Sequence, residues 1–273
     1  MIYRPGCFAG VRDIDSFAAQ LERSLPEPAI RVSSGESLAT PTPTAGDRFV
    51  DWKAHNAREP HSAGELACAE LASLFPDAHI LIVTRGFAAI MLSSYSQYVR
   101  MGGIDPFFAL NPDFGAPHHR SRGVWHYDRL IAAYRAAFGG RVLALPYELL
   151  RDDPAAFTAT IERRFGLPAF PGPRKAVNRA LGPAELAWYP RLTRAIGRLP
   201  VGRHVREILL RRHIQAMEAR RLRGAASVLQ RLRPLPPVGS DMISDRVLEH
   251  FRGKAECLRD DPLYQPYRAD YLL

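Results

Sequence analysis

An α/β protein built on a parallel sheet is predicted from three features of the sequence. The stretch HILIVT, residues 79–84, is a short apolar run rich in branched residues, the pattern of a strand buried on both faces. A helical pattern follows from Ala88, with Ile90, Met91, Ser94, Tyr95 and Tyr98 on related faces. A second strand-like run, residues 141–146, lies between two further helical patterns. In open parallel sheets, ligands bind beyond the carboxyl ends of the strands. Arg85 stands at that end of the first strand, and Ser93, eight residues on, adds a hydroxyl from the following helix. A guanidinium fork suits phosphate because it offers two parallel charge-assisted bonds. The plainer alternative is an arginine closing a sheet edge and a serine with no role beyond its helix.

In chain order, residues 14–25 read as a short helix with Asp13 as cap and Phe17, Leu21 and Leu25 four apart. Pro26 and Pro28 stop it, and residues 29–32 form a short strand leading into SSGESLA. A polar, Pro-rich loop spans residues 40–47. Ser62 with Glu65 makes a capping-box pattern for a helix ending near Phe75, and Pro76-Asp77 turns the chain into the first long strand. Residues 101–123 are loop-like. His118, His119 and His126 lack carboxylate or cysteine companions at ligand spacing, so no metal site is expected. Residues 125–138 form an amphipathic helix with Tyr127, Leu130, Ile131, Tyr134 and Phe138 on one stripe, closed by Gly139-Gly140. Tyr147-Glu148 follows the next strand. Asp153-Pro154 then opens a helix whose Phe157, Ile161 and Phe165 face the core and which Gly166 ends. Residues 204–222 read as a basic helix with Ile208, Leu209, Ile214 and Met217 as its apolar positions. Residues 234–239 are a linker. The ending, LYQPYRADYLL, reads as a tail laid across the surface.

Two segments, LFPDAHILIVTRGFAAIMLSSYSQYV and VLALPYELLRDDPAAFTATIERRFGLP, resemble the sulfotransferase family. They carry a strand, an Arg, a Ser eight positions on and an aromatic residue. A second strand ending in Tyr-Glu, an acidic-Pro helix start and a closing Phe-Gly-Leu-Pro follow. The likeness covers roughly residues 30–180. It implies a three-layer parallel sheet with helices on both faces, of the P-loop nucleotide kinase-like type, with a helical C-terminal part. One domain over residues 1–273 is expected, its α/β core at about 28–170 and a basic helical extension at 171–273.

The resemblance implies 3′-phosphoadenosine 5′-phosphosulfate (PAPS) as co-substrate, with Arg85 and Ser93 on the 3′-phosphate, Tyr147 near the nucleotide and Glu148 mostly structural. Ser34, Glu36 and Leu38 match a bacterial pattern of Ser-acidic-Glu-small-Leu, with Gly35 at the acidic position; Asn178 matches a family Asn. Glu36 is thereby the expected base, since an alcohol attacking sulfur must lose its proton to a carboxylate within reach; a glutamate capping the next turn is the alternative. The family's glycine-rich, Lys-containing loop for the 5′-phosphosulfate has no match around Pro5-Gly6 and Gly10. A truncated or misplaced gene start is expected, with a degenerate member as the other reading.

Bulk properties bound the function. An excess of 37 basic over 28 acidic residues attracts anions of any kind, and it concentrates between Arg174 and Arg233. Cys7, Cys68 and Cys257 are far apart and odd in number, against a disulfide framework or a zinc site. No apolar run of membrane-spanning length occurs and no leader pattern begins the chain, so a cytoplasmic location is expected. The leading expectation is sulfuryl transfer from PAPS to a hydroxyl of a saccharide or small molecule. A homo-oligomer is compatible with it, and neither a metal nor a specific nucleic acid is expected as a partner. The competing readings are a non-catalytic nucleotide- or partner-binding member of the fold and an arginine-rich nucleic-acid-binding module. Steep salt dependence on random DNA or RNA would mark the last of these.

Overall fold

A computed structural model describes residues 63–104, 125–169, 180–249 and 251–273. In chain order the elements are α1 (Ala63–Leu74), β1 (Ile80–Thr84), α2 (Phe87–Arg100), α3 (Tyr127–Phe138), β2 (Val142–Pro146), α4 (Tyr147–Asp152) and α5 (Pro154–Phe165). Then come α6 (Pro183–Gly197), α7 (Arg203–Glu218), α8 (Arg223–Leu232), α9 (Asp245–Glu249) and α10 (Arg268–Tyr271), with short 3₁₀ turns between the later ones. The readings for Asp13 to Leu25, for the SSGESLA strand exit, for Ser62 and for Asn178 lie outside the described residues.

The chain divides into two compact units. The first draws on residues 63–84, 125–169 and 251–272, the second on residues 85–104, 180–249 and Leu273. Each therefore takes segments from both sides of residue 171.

The first unit contains the sheet. Among the described residues it is a parallel pair, β1 with β2, in register from Ile80 opposite Val142 to Thr84 opposite Pro146. Both strands thus end at the same level. Ile80 and Ile82 point into a core made by Cys68, Leu130, Tyr134, Phe138 and Val142, where α1 and α3 pack. The five apolar positions foreseen for α3 are all buried. Tyr134, deep in this cluster, has its hydroxyl pKa pushed up to about 12 by burial. Asp153 caps α5 by accepting the Ala156 N–H at 2.9 Å, Pro154 takes the first position, and Gly166 ends the helix at φ 63°. Phe157 of α5 is buried, and Phe165 meets His79 edge-on at 5.1 Å.

One expectation is corrected here and another is refined. β1 is not buried on both faces: Leu81 is 38% and Val83 47% exposed, while Ile80, Ile82 and Thr84 turn inward. Side chains alternate across a strand, and an apolar run does not reveal that only one face is covered. It is β2 that is enclosed, with Val142, Ala144 and Leu145 all buried. The C-terminal end, read as a tail across the surface, does expose Gln265, Pro266, Arg268, Ala269 and Asp270, but it is anchored by two buried side chains. Tyr264 and Tyr271 are 2% and 1% exposed, and their hydroxyls enter the hydrogen-bond network of the sheet's carboxyl end.

The second unit is helical among its described residues. α2 buries Phe87, Met91, Tyr95, Ser96 and Val99 and packs on α6 and α7. Ser94, grouped by periodicity with Met91 and Tyr95, is exposed, and the buried serine is Ser96, which accepts the Leu181 N–H at 3.1 Å. A chain of buried polar groups ties α6 to α7. Glu185 accepts from the Gly182 N–H at 2.6 Å and from the Tyr189 hydroxyl at 3.1 Å, and pairs with Arg220 at 3.5 Å. Thr193 meets His213 Nε2 at 3.1 Å, and burial lowers the pKa of that imidazole. Many arginines of the basic stretch serve this unit's own carbonyls: Arg191 donates to Ala187, Arg194 to Ile104, and Arg206 to Leu199 and Val201.

Candidate functional site

The exit of β1 is built by contrast between fixed backbone and a partly exposed cation. Thr84, 1% exposed, closes the strand, and Phe87, fully buried, opens α2. Between them stand half-buried Arg85 and buried Gly86, the N-cap of α2. The cap makes no side-chain bond to the first-turn N–H groups, and no acidic residue occupies the first turn. The helix start is thus electropositive, with a guanidinium one residue before the cap. Ser93 lies in the second turn, about 9 Å along the helix axis from Phe87 at 1.5 Å per residue. It is half-buried, off the stripe that α2 buries. Arg85 and Ser93 belong to the same compact unit, the first just before the helix and the second in its second turn.

Tyr147 is placed differently. It is the first residue of α4, directly after β2, half-buried, and part of the unit that holds the sheet. Glu148 beside it is 1% exposed. Its carboxyl accepts the Tyr271 hydroxyl at 2.7 Å. Thr84 Oγ1 lies 2.8 Å from the Tyr264 hydroxyl, 3.2 Å from the Tyr271 hydroxyl and 3.3 Å from the Leu145 carbonyl. Burial raises the pKa of both tyrosines well above the usual phenol range, so both hydroxyls stay protonated and able to donate. Sequence reasoning left Tyr264, Tyr271 and Thr84 without a role; the only signal was the density of tyrosines in the last ten residues.

Glu36 lies outside the described residues, as do His118 and His119. His126 precedes α3; burial first, then the Lys254 charge, lowers its pKa, so it is a neutral imidazole at pH 7. Among the described residues no cluster of three or more His, Cys, Asp or Glu side chains is arranged to hold a metal ion. No helix among them is long and apolar enough to cross a membrane.

A profile described as "Sulfotransferase family" matches residues 12–171, more than half of the chain, and the protein belongs to that family. Membership carries sulfuryl transfer as the general activity and small-molecule acceptors as the general partners. No curated protein and no solved structure compared with the chain matches it.

Proposed function

We propose that this protein transfers a sulfuryl group from PAPS to a hydroxyl of a carbohydrate or small-molecule acceptor. The observation that carries the reading is the order strand, Arg85, helix start and Ser93, lying inside the family match. In this reading Arg85 grips the 3′-phosphate of the nucleotide with its fork, Ser93 adds a neutral donor, and Tyr147 lies against the nucleotide. The donor set fits a phosphate dianion: one charged fork, one hydroxyl and an electropositive helix start. The family fold implied is the three-layer parallel sheet, of which β1 and β2 are two strands.

PAPS supplies an activated sulfuryl group joined to phosphate through a bridging oxygen. The acceptor oxygen forms a bond to sulfur as the sulfur–bridging oxygen bond breaks, and 3′-phosphoadenosine 5′-phosphate leaves with that electron pair. The acceptor's proton goes to Glu36, which needs a carboxylate within hydrogen-bond reach of the hydroxyl. Arg85 and Ser93 hold the nucleotide in line and add no chemistry of their own. The test is incubation of the full chain with radiolabelled PAPS and a panel of sugars, phenols and aliphatic alcohols. Label transferred to at least one alcohol, and lost with Arg85→Ala, is the expected result. Tight binding of 3′-phosphoadenosine 5′-phosphate with no transfer to any acceptor would favour the non-catalytic reading instead.

A further inference from the structure

The hydroxyls at the sheet's carboxyl end are linked by hydrogen bonds. Tyr271 donates to Glu148 at 2.7 Å, which leaves its oxygen free to accept from Thr84 at 3.2 Å. Thr84 has one proton, shared between Tyr271 and the Leu145 carbonyl at 3.3 Å. Tyr264 therefore donates to Thr84 at 2.8 Å. All four side chains are at most 2% exposed, so no water competes for these bonds. The two tyrosine rings also meet edge to face at 5.2 Å, and Tyr271 lies 6.0 Å from Tyr127 of α3. The segment that brings them here is itself held, since Asp128 of α3 accepts the Glu256 and Cys257 N–H groups at 3.1 and 2.8 Å.

The network joins the last residue of β1 to the second residue of α4, across the paired strand ends. Thr84 is bonded covalently to Arg85, and Glu148 to Tyr147. We propose that Tyr264 and Tyr271 are positioning residues for nucleotide binding: they fix where the chain leaves β1 and β2, and so where Arg85 and Tyr147 begin. The inference rests on the reading of Arg85 and Tyr147 as nucleotide-binding residues. It gives the C-terminal end of the chain a functional role although it supplies no group to the ligand. Small displacements of positioning groups are costly, a shift near 1 Å reaching about a hundredfold in reactive systems.

A residue that only stabilises the fold would not act this way. Well below the melting temperature nearly every molecule is folded, and lost stability scales affinity only by the folded fraction. The test is calorimetric titration of the full chain with 3′-phosphoadenosine 5′-phosphate, alongside thermal melts. Tyr271→Phe keeps the ring and removes one hydroxyl; Thr84→Val keeps the shape and removes the other. Each should weaken binding roughly fivefold to tenfold, the worth of one buried hydrogen bond. The double variant should lose less than the product of the two, because they share a bond. Tyr264→Phe serves as the second route if Tyr271→Phe does not fold. Phe251→Leu, altering a ring 5.6 Å from Trp125 in the same unit, is the control that lowers melting temperature without moving affinity. If wild type binds, Arg85→Ala does not, and the tyrosine variants bind like wild type, the positioning role is overturned and the nucleotide reading stands. If wild type itself does not bind, the nucleotide reading falls and this inference falls with it.

Discussion

Replacing Arg85 with alanine separates a phosphate-binding arginine from one that closes a sheet edge. The residue stands between Thr84 and Phe87, which are 1% and 0% exposed. Its side chain is only half-buried, and the strand pairing runs from Ile80 to Thr84 and stops short of it. Whatever the side chain contributes to the fold is read separately, as a change in melting temperature. A charge-assisted pair to phosphate is worth on the order of 1.5–3 kcal/mol. That converts to roughly a tenfold to 150-fold loss of affinity for 3′-phosphoadenosine 5′-phosphate. Partial exposure favours the lower part of that range, since salt screens the pair. Arg85→Lys keeps the charge and loses the fork, so it should fall between wild type and alanine. The assay is calorimetry at two ionic strengths, with thermal melts of all three proteins. Equal affinity in wild type and Arg85→Ala would refute the assignment, and a lowered melting temperature beside it would point to the sheet-edge role.

Other outcomes test separate parts of the account. Glu36→Gln should retain nucleotide affinity and lose most transfer, because an amide cannot take the acceptor's proton; wild-type turnover in that variant would move the base elsewhere, with neutral His126 the next residue to examine. Ser93→Ala should weaken nucleotide binding less than Arg85→Ala does, by about 0.5–1.5 kcal/mol for a neutral hydroxyl, and a larger effect than the arginine's would invert their roles. Ser96→Ala leaves the Leu181 N–H without its acceptor and should cost about 1–3 kcal/mol in chemical denaturation, with no change in nucleotide affinity per folded molecule. His213 supplies a pH dependence. Its pKa is lowered in the folded state, so below the ordinary value near 6.5 the unfolded chain binds more protons than the folded one. Stability from this group is complete above that pH and is lost as pH falls toward the lowered value. Melts between pH 8 and pH 5 should fall more steeply for wild type than for His213→Gln, and parallel slopes would dismiss the imidazole as the cause.

The readable parts of this chain were those in which local physics decides. The apolar stripe of α3, from Tyr127 to Phe138, and the Asp153-Pro154 start and Gly166 end of α5 follow from periodicity, capping and the left-handed region. The segments around Arg85 and Tyr147, which carry the family pattern, were legible for the same reason: motif residues at fixed spacing survive in one dimension. Burial across a sheet is not local. HILIVT reads the same whether one or both faces are covered, and only the alternation of buried Thr84 with exposed Val83 settles it. The choice of Ser96 over Ser94 as the inward serine depended on where Leu181, 85 residues away, presents its N–H. His213 lay unremarked in a basic helix until Thr193 of α6 met it. The largest difference is at the C-terminal end. A sequence of tyrosines, prolines and charges has no period and reads as a tail laid across the surface, with no sign of which side chains anchor it. Its place was decided by distant partners: the Thr84 hydroxyl, 180 positions before Tyr264 and 187 before Tyr271, and the buried Glu148 carboxyl, 123 before Tyr271.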